Sequence, residues 1–219
     1  MFGDRLARPE LSLGKVVLKV MSEDDEAIQV ACNYLTAEAI ARVEHALNFA
    51  KVAHHGQWRV SGESFICHPV AVTNNLAQLH SDECILTAAL LHDVVEDTEV
   101  TLSQIEQEFG VEVARLVDGV TKDVVSSDET DKGERQHREK LMQAILEDAR
   151  VGLIRLADRL DNMRTLYALS RSRQLRMARE TLILYVPLAY YMGLTNWAAE
   201  LLYLALRYLI VPKSFVSIF

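Results

Sequence analysis

Cysteine is scarce in this chain, and the little there is does not pair by spacing. Cys32, Cys67 and Cys84 are odd in number and form no CxxC motif, which fits a reducing compartment better than a disulfide framework. Positive charge is also short. The 23 Lys and Arg face 31 Asp and Glu, a formal net charge of −8, which argues against binding nucleic acid through its phosphates. A small anionic ligand is compatible with that balance, because a site can be locally positive inside an acidic protein. Long apolar runs are missing as well. The longest candidate, Leu182 to Leu206, contains Glu200 and is interrupted by Pro187, Gly193 and Asn196, so it makes a poor membrane span. No basic, apolar, small-residue signal opens the sequence. The expectation is a cytoplasmic protein with neither membrane nor nucleic acid as partner. Alternation that would demand a strand is absent between Thr36 and Pro212, and there is no internal repeat.

What is present points to helices. The 219 residues, half of them apolar and a quarter charged, suit one domain with a full hydrophobic core plus tails. The reading divides the chain into an N-terminal extension (1–35), a helical domain (36–212) and a C-terminal tail (213–219). Within the extension, Lys15 to Val20 suits either a short strand or an ordered tail, and Met21 offers an alternative start. Thr36 is placed to cap a helix carrying Ile40, Val43, Leu47 and Ala50, with Gly56 ending it. Pro69 belongs in the first turn of a second helix running through Val72, Leu76 and Leu79. Ser81 is expected to cap a third, from Asp82 to about Val95, apolar on nearly all sides and therefore central to a bundle. Thr101 and Gln104 have capping-box spacing, and Gly110 stops the helix they open. A polar loop is expected from Lys122 to Arg135. Helices follow at about Gln136–Ala149, Val151–Leu166, Gln174–Met192, kinked at Pro187, and Asn196–Leu209. The fold class is all-α, an irregular helical bundle.

The chemistry concentrates in two segments. His92-Asp93-Val94-Val95-Glu96-Asp97 places four ionisable groups at the end of an apolar helix. His92 and Glu96 are four apart, as are Asp93 and Asp97, so the pairs occupy neighbouring faces. Acidic groups at a helix C-terminus oppose its dipole, and burying them is costly without a cation or hydrogen bonds. The second segment runs from Val151 to Thr165. Asp158 follows an apolar stretch, with Asp161, Asn162 and Thr165 on one face beyond it. Taken alone, that face could be a surface with ion pairs to Arg155, Arg159 and Arg164. His68 precedes Pro69 and so has an extended backbone; alone, it is more often a capping or packing histidine than a ligand. Together, His68, His92, Asp93 and Asp158 make a two-imidazole, two-carboxylate set that suits Mn, Fe or Zn better than Ca.

The longer motifs carry a resemblance. Ala53 to Pro69, Leu91 to Thr98, Phe109 to Lys122, Leu156 to Leu166 and Ala178 to Ala189 together resemble the hydrolase domain of the RelA/SpoT alarmone enzymes, a branch of the HD phosphohydrolases. The resemblance spans about Thr36 to Leu209. It implies Mn²⁺-dependent removal of the 3′-pyrophosphate from guanosine tetra- and pentaphosphate (ppGpp and pppGpp), the alarmones of the stringent response. It also implies metal ligation by His68, His92, Asp93 and Asp158, with Glu96 and Asp97 as the catalytic pair beside the attacking water. Arg59 would stack on the guanine, with Ser61, Phe65, Asn162 and Thr165 near the nucleoside. Three positions depart from the family: Val60 stands for a usual Lys, Phe65 for Tyr, and Asp161 for His. Two other functions share this resemblance, a phosphatase acting on a nucleotide such as NADPH and a non-catalytic nucleotide-binding domain. Long relatives continue into a synthesising domain, so the chain reads either as a stand-alone hydrolase or as an N-terminal piece. The apolar segment from Leu201 to Phe219 is expected to pack on a second subunit, giving a homo-oligomer, or to mark a truncation.

Overall fold

The computed structural model describes residue 28, residues 31–121, residue 139 and residues 141–210. The Lys15–Val20 stretch, the expected loop at 122–135 and the 213–219 tail lie outside the described residues. Thr36, extended at φ −68° and ψ 158°, accepts the Ala39 N–H and opens α1 (Ala37–Ala53). Val43, Leu47 and Ala50 form its buried face. α2 (Cys67–Ala77) carries Pro69 in its first turn, where the missing N–H costs nothing; His68, expected to be extended ahead of the proline, is instead helical within that turn. It ends before Leu79, and His80 turns the chain at φ 54°.

The third helix departs from expectation at both ends. Asp82, not Ser81, is the cap: its carboxylate accepts the Ile85 N–H at 2.9 Å, and a negative group suits a helix N-terminus. The Ser81 carbonyl instead accepts the Tyr34 hydroxyl at 2.6 Å. α3 (Glu83–Leu91) then stops at His92-Asp93, and the chain re-enters a single turn, α4 (Val94–Asp97). Leu86, Leu90 and Leu91 are wholly buried, each contributing roughly 1.5–3 kcal/mol. α3 packs against α1 and α2, and later in the chain against α6 and α7, the central place its all-round apolarity requires.

Thr101 and Gln104 close the capping box of α5 (Leu102–Phe109), and Gly110 at φ 88° leads into α6 (Val111–Thr121). Residues 141–147 are helical. Asp148 caps α7 (Ala149–Arg164), which is followed by a 3₁₀ turn, Leu166–Ala168. The expected single helix over 174–192 is three pieces: α8 (Arg171–Glu180), a π-helical turn (Thr181–Tyr185) and α9 (Val186–Tyr191). Pro187 supplies no N–H to the carbonyl four residues back and crowds it, so the preceding turn widens instead of simply kinking. α10 (Thr195–Ile210) packs on α8, α9 and α7. Among the described residues no helix is long and apolar enough to cross a membrane. No strand occurs among them either; a single antiparallel bridge pairs Trp58 with Ser64.

That bridge shapes the loop between α1 and α2. Arg59 N–H donates to Glu63 O at 2.9 Å and Phe65 N–H to Gln57 O at 3.1 Å. Gly62 makes the reversal at φ 93°, a backbone state that L side chains rarely adopt. The loop therefore folds back as a tight hairpin and carries Arg59 over α7.

Candidate active site

Three elements bring the ionisable groups together. α2 supplies His68, the α3–α4 break supplies His92 and Asp93, and α7 supplies Asp158. α2 packs directly on α7 and on α3, so residues remote in sequence converge. One ligand atom each from His68, His92 and Asp158 lies within 4.8 Å of the others, a spacing that could hold a metal ion. His68 Nε2 stands 3.2 Å from Asp158 Oδ1 and 3.6 Å from Asp93 Oδ2. His92 Nε2 stands 3.1 Å from Asp93 Oδ1. In a continuous helix, adjacent side chains diverge by about 100°. The break at His92-Asp93 is what lets both face one point.

Each imidazole is anchored through its other nitrogen. His92 Nδ1 bonds the Ala89 carbonyl at 2.8 Å and His68 Nδ1 bonds Asp161 Oδ2 at 2.6 Å. With the proton on Nδ1, both Nε2 lone pairs face the carboxylates, the arrangement metal-ligating histidines use. His92 Nε2 is buried with no hydrogen-bond partner among the described residues. An orphaned nitrogen between carboxylates fits a divalent cation, which would satisfy it and neutralise Asp93 and Asp158. Burial opposes a charged His68, yet Asp158, Asp161 and Asp93 outweigh it and lift the imidazole pKa to about 10. Burial likewise opposes an ionised Asp158, and the hydrogen bond and charge of His68 with the charge of His92 hold it below the usual carboxylate range. The cluster thus has high affinity for positive charge.

Glu96 and Asp97 stand one turn past Asp93, on α4. Burial, with the negative charges of Asp93 and Asp97, pushes Glu96 up to about 7 against the pull of Arg155. Burial and Asp93 also raise Asp97. Gln57 holds this turn: its amide donates to the Asp97 carbonyl at 2.8 Å and its oxygen lies 2.8 Å from His54 Nδ1. Neither acid is in the wall of the adjoining cleft.

That cleft, about 320 Å³, is lined by Arg59, Val60, Ser61, Phe65, Asn162 and Thr165 beside His68, Asp93 and Asp158, and its wall also includes Trp58, Ala168, Leu169 and Met177. Every residue expected near the nucleoside is therefore present at one opening. Their contacts are partly internal. Arg59 donates to Asp161 Oδ2 at 2.8 Å, to Asn162 Oδ1 at 3.0 Å and to Thr165 Oγ1 at 3.1 Å. The Ser61 hydroxyl donates to Glu63 at 2.9 Å. Phe65 stacks on His54 with ring centroids 4.5 Å apart and meets His68 edge-on. Val60 is 71% exposed at the rim, not packed in the core. Among the described residues that line the cleft, Arg59 is the one Arg or Lys, and it is salt-bridged to Asp161.

The alternative of a solvated, ion-paired α7 face does not hold. Arg159 pairs with Glu180 and lies 4.1 Å over the Tyr185 ring, while Arg164 pairs with Glu200. Only Arg155 approaches Asp158, at 3.9 Å. Sequence reasoning missed Asp161 as a structural partner of His68, and missed the His54–Gln57 brace. The only signal available was the i, i+3 spacing of Asp158 and Asp161.

These helices and this His-Asp cluster define an HD-domain protein, and residues 46–195 match the HD domain family, to which the chain belongs. Within that family it is similar to alarmone enzymes. It is 45% identical over 178 residues to a guanosine-3′,5′-bis(diphosphate) 3′-pyrophosphohydrolase of Vibrio cholerae, covering 81% of this chain and 25% of the relative. Against the bifunctional (p)ppGpp synthase/hydrolase SpoT of Escherichia coli the identity is 45% over 79% of this chain and 25% of that one. A Streptomyces coelicolor GTP pyrophosphokinase is 40% identical over 99% of this chain and 24% of its own length. The chain thus spans about a quarter of the curated relatives it matches. Among solved structures, a metazoan ortholog of SpoT that hydrolyses ppGpp superposes with a TM-score of 0.54 at 28% identity, covering 75% of this chain and 85% of that one.

Proposed function

We propose that this chain is a Mn²⁺-dependent guanosine-3′,5′-bis(diphosphate) 3′-pyrophosphohydrolase. The observation that carries the reading is the orphaned, anchored Nε2 of His92 beside Asp93 in a cluster whose His68, Asp93 and Asp158 line the Arg59 cleft. His68, His92, Asp93 and Asp158 would hold the metal. When bound, it supplies a Lewis acid that polarises a phosphoryl oxygen and acidifies water.

The reaction adds water across the bond between the ribose 3′ oxygen and its phosphorus. The water oxygen bonds to phosphorus, the P–O3′ bond breaks, and pyrophosphate leaves GDP or GTP with a 3′ hydroxyl. One water proton must be accepted, and the 3′ oxygen must gain one. Glu96, whose pKa near 7 lets it exchange a proton at neutral pH, is the acceptor best placed by chemistry, with Asp97 beside it. Arg59 is held edge-on by three acceptors of α7, and in-plane bonds leave a guanidinium face free to stack on a purine. Asn162 and Thr165 fix that plane, while Ser61 and Phe65 line the approach. The similarity to enzymes named for ppGpp hydrolysis supports the substrate class.

The test is product release from ppGpp, pppGpp and NADPH, each with Mn²⁺ and with EDTA. Pyrophosphate from the guanosine substrates, only with Mn²⁺, is the expected result. Release from NADPH alone would replace the substrate assignment. Metal and nucleotide binding without turnover of any would make the chain a binding domain.

A further inference from the structure

Asp161 sits on α7 three residues beyond Asp158, is 7% exposed and reaches two functional side chains with one oxygen. Its Oδ2 is 2.6 Å from His68 Nδ1 and 2.8 Å from the Arg59 guanidinium. A carboxylate that buried is tolerated only when donors compensate it; here the donors are a residue of the metal cluster and a residue of the substrate cleft. Burial opposes the ionised form, but the hydrogen bonds and charges of His68 and Arg59 keep Asp161 below the usual carboxylate range.

We propose that Asp161 is a positioning residue for both halves of the site, orienting His68 toward the metal and Arg59 toward the nucleobase. The His68 ring has two nitrogens and can rotate or exchange tautomers. An acceptor on Nδ1 selects the form whose Nε2 lone pair faces Asp93 and Asp158. Arg59 has a long, flexible stem, and Asp161, Asn162 and Thr165, at positions i, i+1 and i+4 of one helix end, hold its plane from one side. A carboxylate oxygen can accept from both donors at once, so Asp161 joins the metal and nucleobase halves through a single atom. The nucleobase half rests on the function proposed above; the metal half does not.

Two titrations separate the halves. Free Mn²⁺ followed by electron paramagnetic resonance, with no nucleotide present, should show roughly 10–100-fold weaker binding in Asp161→Ala, the range for losing an outer partner of a metal-bound histidine. Asp161→Asn, nearly isosteric, should weaken it less. Adding Asp161→Ala to His68→Ala should cost nothing further, because the two act through one ligand. Circular dichroism in EDTA shows which variants fold. A folded Asp161→Ala that binds Mn²⁺ within threefold of wild type would overturn the metal half. For the other half, GDP is titrated in EDTA while the emission of Trp58 is followed; this residue is in the cleft wall and 70% exposed. Asp161→Asn and Arg59→Ala should each weaken GDP several-fold, and the double variant no further. Additive losses, or wild-type affinity in Asp161→Asn, would overturn the nucleobase half. A wild-type protein indifferent to GDP would overturn it too, together with the substrate assignment, and leave the Mn²⁺ result standing.

Discussion

Asn162 donates its amide nitrogen to Asp158 Oδ1 at 2.5 Å and accepts the Arg59 guanidinium on its amide oxygen at 3.0 Å. A carboxylate can only accept and a guanidinium can only donate, so the two partners fix which way the amide points. One neutral side chain therefore orients both an expected metal ligand and the expected stacking arginine.

Asn162→Leu keeps the volume and removes both bonds. Hydrogen bonds to charged partners contribute about 1.5–3 kcal/mol each. KM for a guanosine polyphosphate should rise roughly 10-fold or more, and Mn²⁺ affinity should fall by a smaller factor. Steady-state kinetics at saturating Mn²⁺ check this, and an unchanged KM would remove Asn162 from the substrate site.

Asp93→Ala and Asp158→Ala should abolish hydrolysis while the helices persist by circular dichroism. Each removes one of the two carboxylates that face the imidazole Nε2 atoms and would leave the cation one ligand short. Wild-type turnover in either variant at high Mn²⁺ would defeat the ligand assignment.

Glu96→Gln should retain metal by elemental analysis and lose roughly 10²–10⁴-fold in turnover, the scale of general-base work. Loss of the metal instead would make Glu96 a ligand.

The same residue gives a pH prediction for the metal-free protein. Its folded pKa is about 7 against an ordinary 4.5. Between those values the folded state keeps a proton that the unfolded chain has released, so this group's contribution to stability falls as pH rises through the window. Glu96→Gln removes the effect. In EDTA it should gain about 1 kcal/mol over wild type on going from pH 5 to pH 8, a figure reduced for the group's partial exposure. Equal differences in urea melts at both pH values would contradict it.

Val60→Lys places an ammonium on the rim beside Arg59, at a position 71% exposed. It should lower KM several-fold with little change in kcat, since the contact is made in ground and transition states alike. The gain should shrink with added salt. An unchanged KM would show that this rim does not face the phosphates.

The sequence was informative where one residue dictates one geometry. Thr36, Thr101 and Gln104 cap where their chemistry requires, and the apolar core of α3 could only be central. Ser81 and Asp82 compete for one cap, and periodicity cannot choose between them. Pro187 announces trouble in a helix, but whether the turn kinks or widens depends on what packs beneath it. The residues proposed to hold the metal could be named from motif and resemblance. The orientation of their rings could not, because it depends on Asp161 Oδ2 and the Ala89 carbonyl, partners that only tertiary packing brings near. The internal clamp on Arg59 was invisible for the same reason: its acceptors are about a hundred residues away.

The stop at Leu91 also has an electrostatic consequence. Ending at Leu91 with His92 as its C-cap, α3 brings the negative pole of its macrodipole to the break that carries His92 and Asp93. Backbone and side chains would thus act in one direction, and a cation held at the cluster would be met by both. A divalent cation bound at this cluster would add to the stability of the folded state by mass action, so the melting temperature of this domain would climb with the concentration of the free ion.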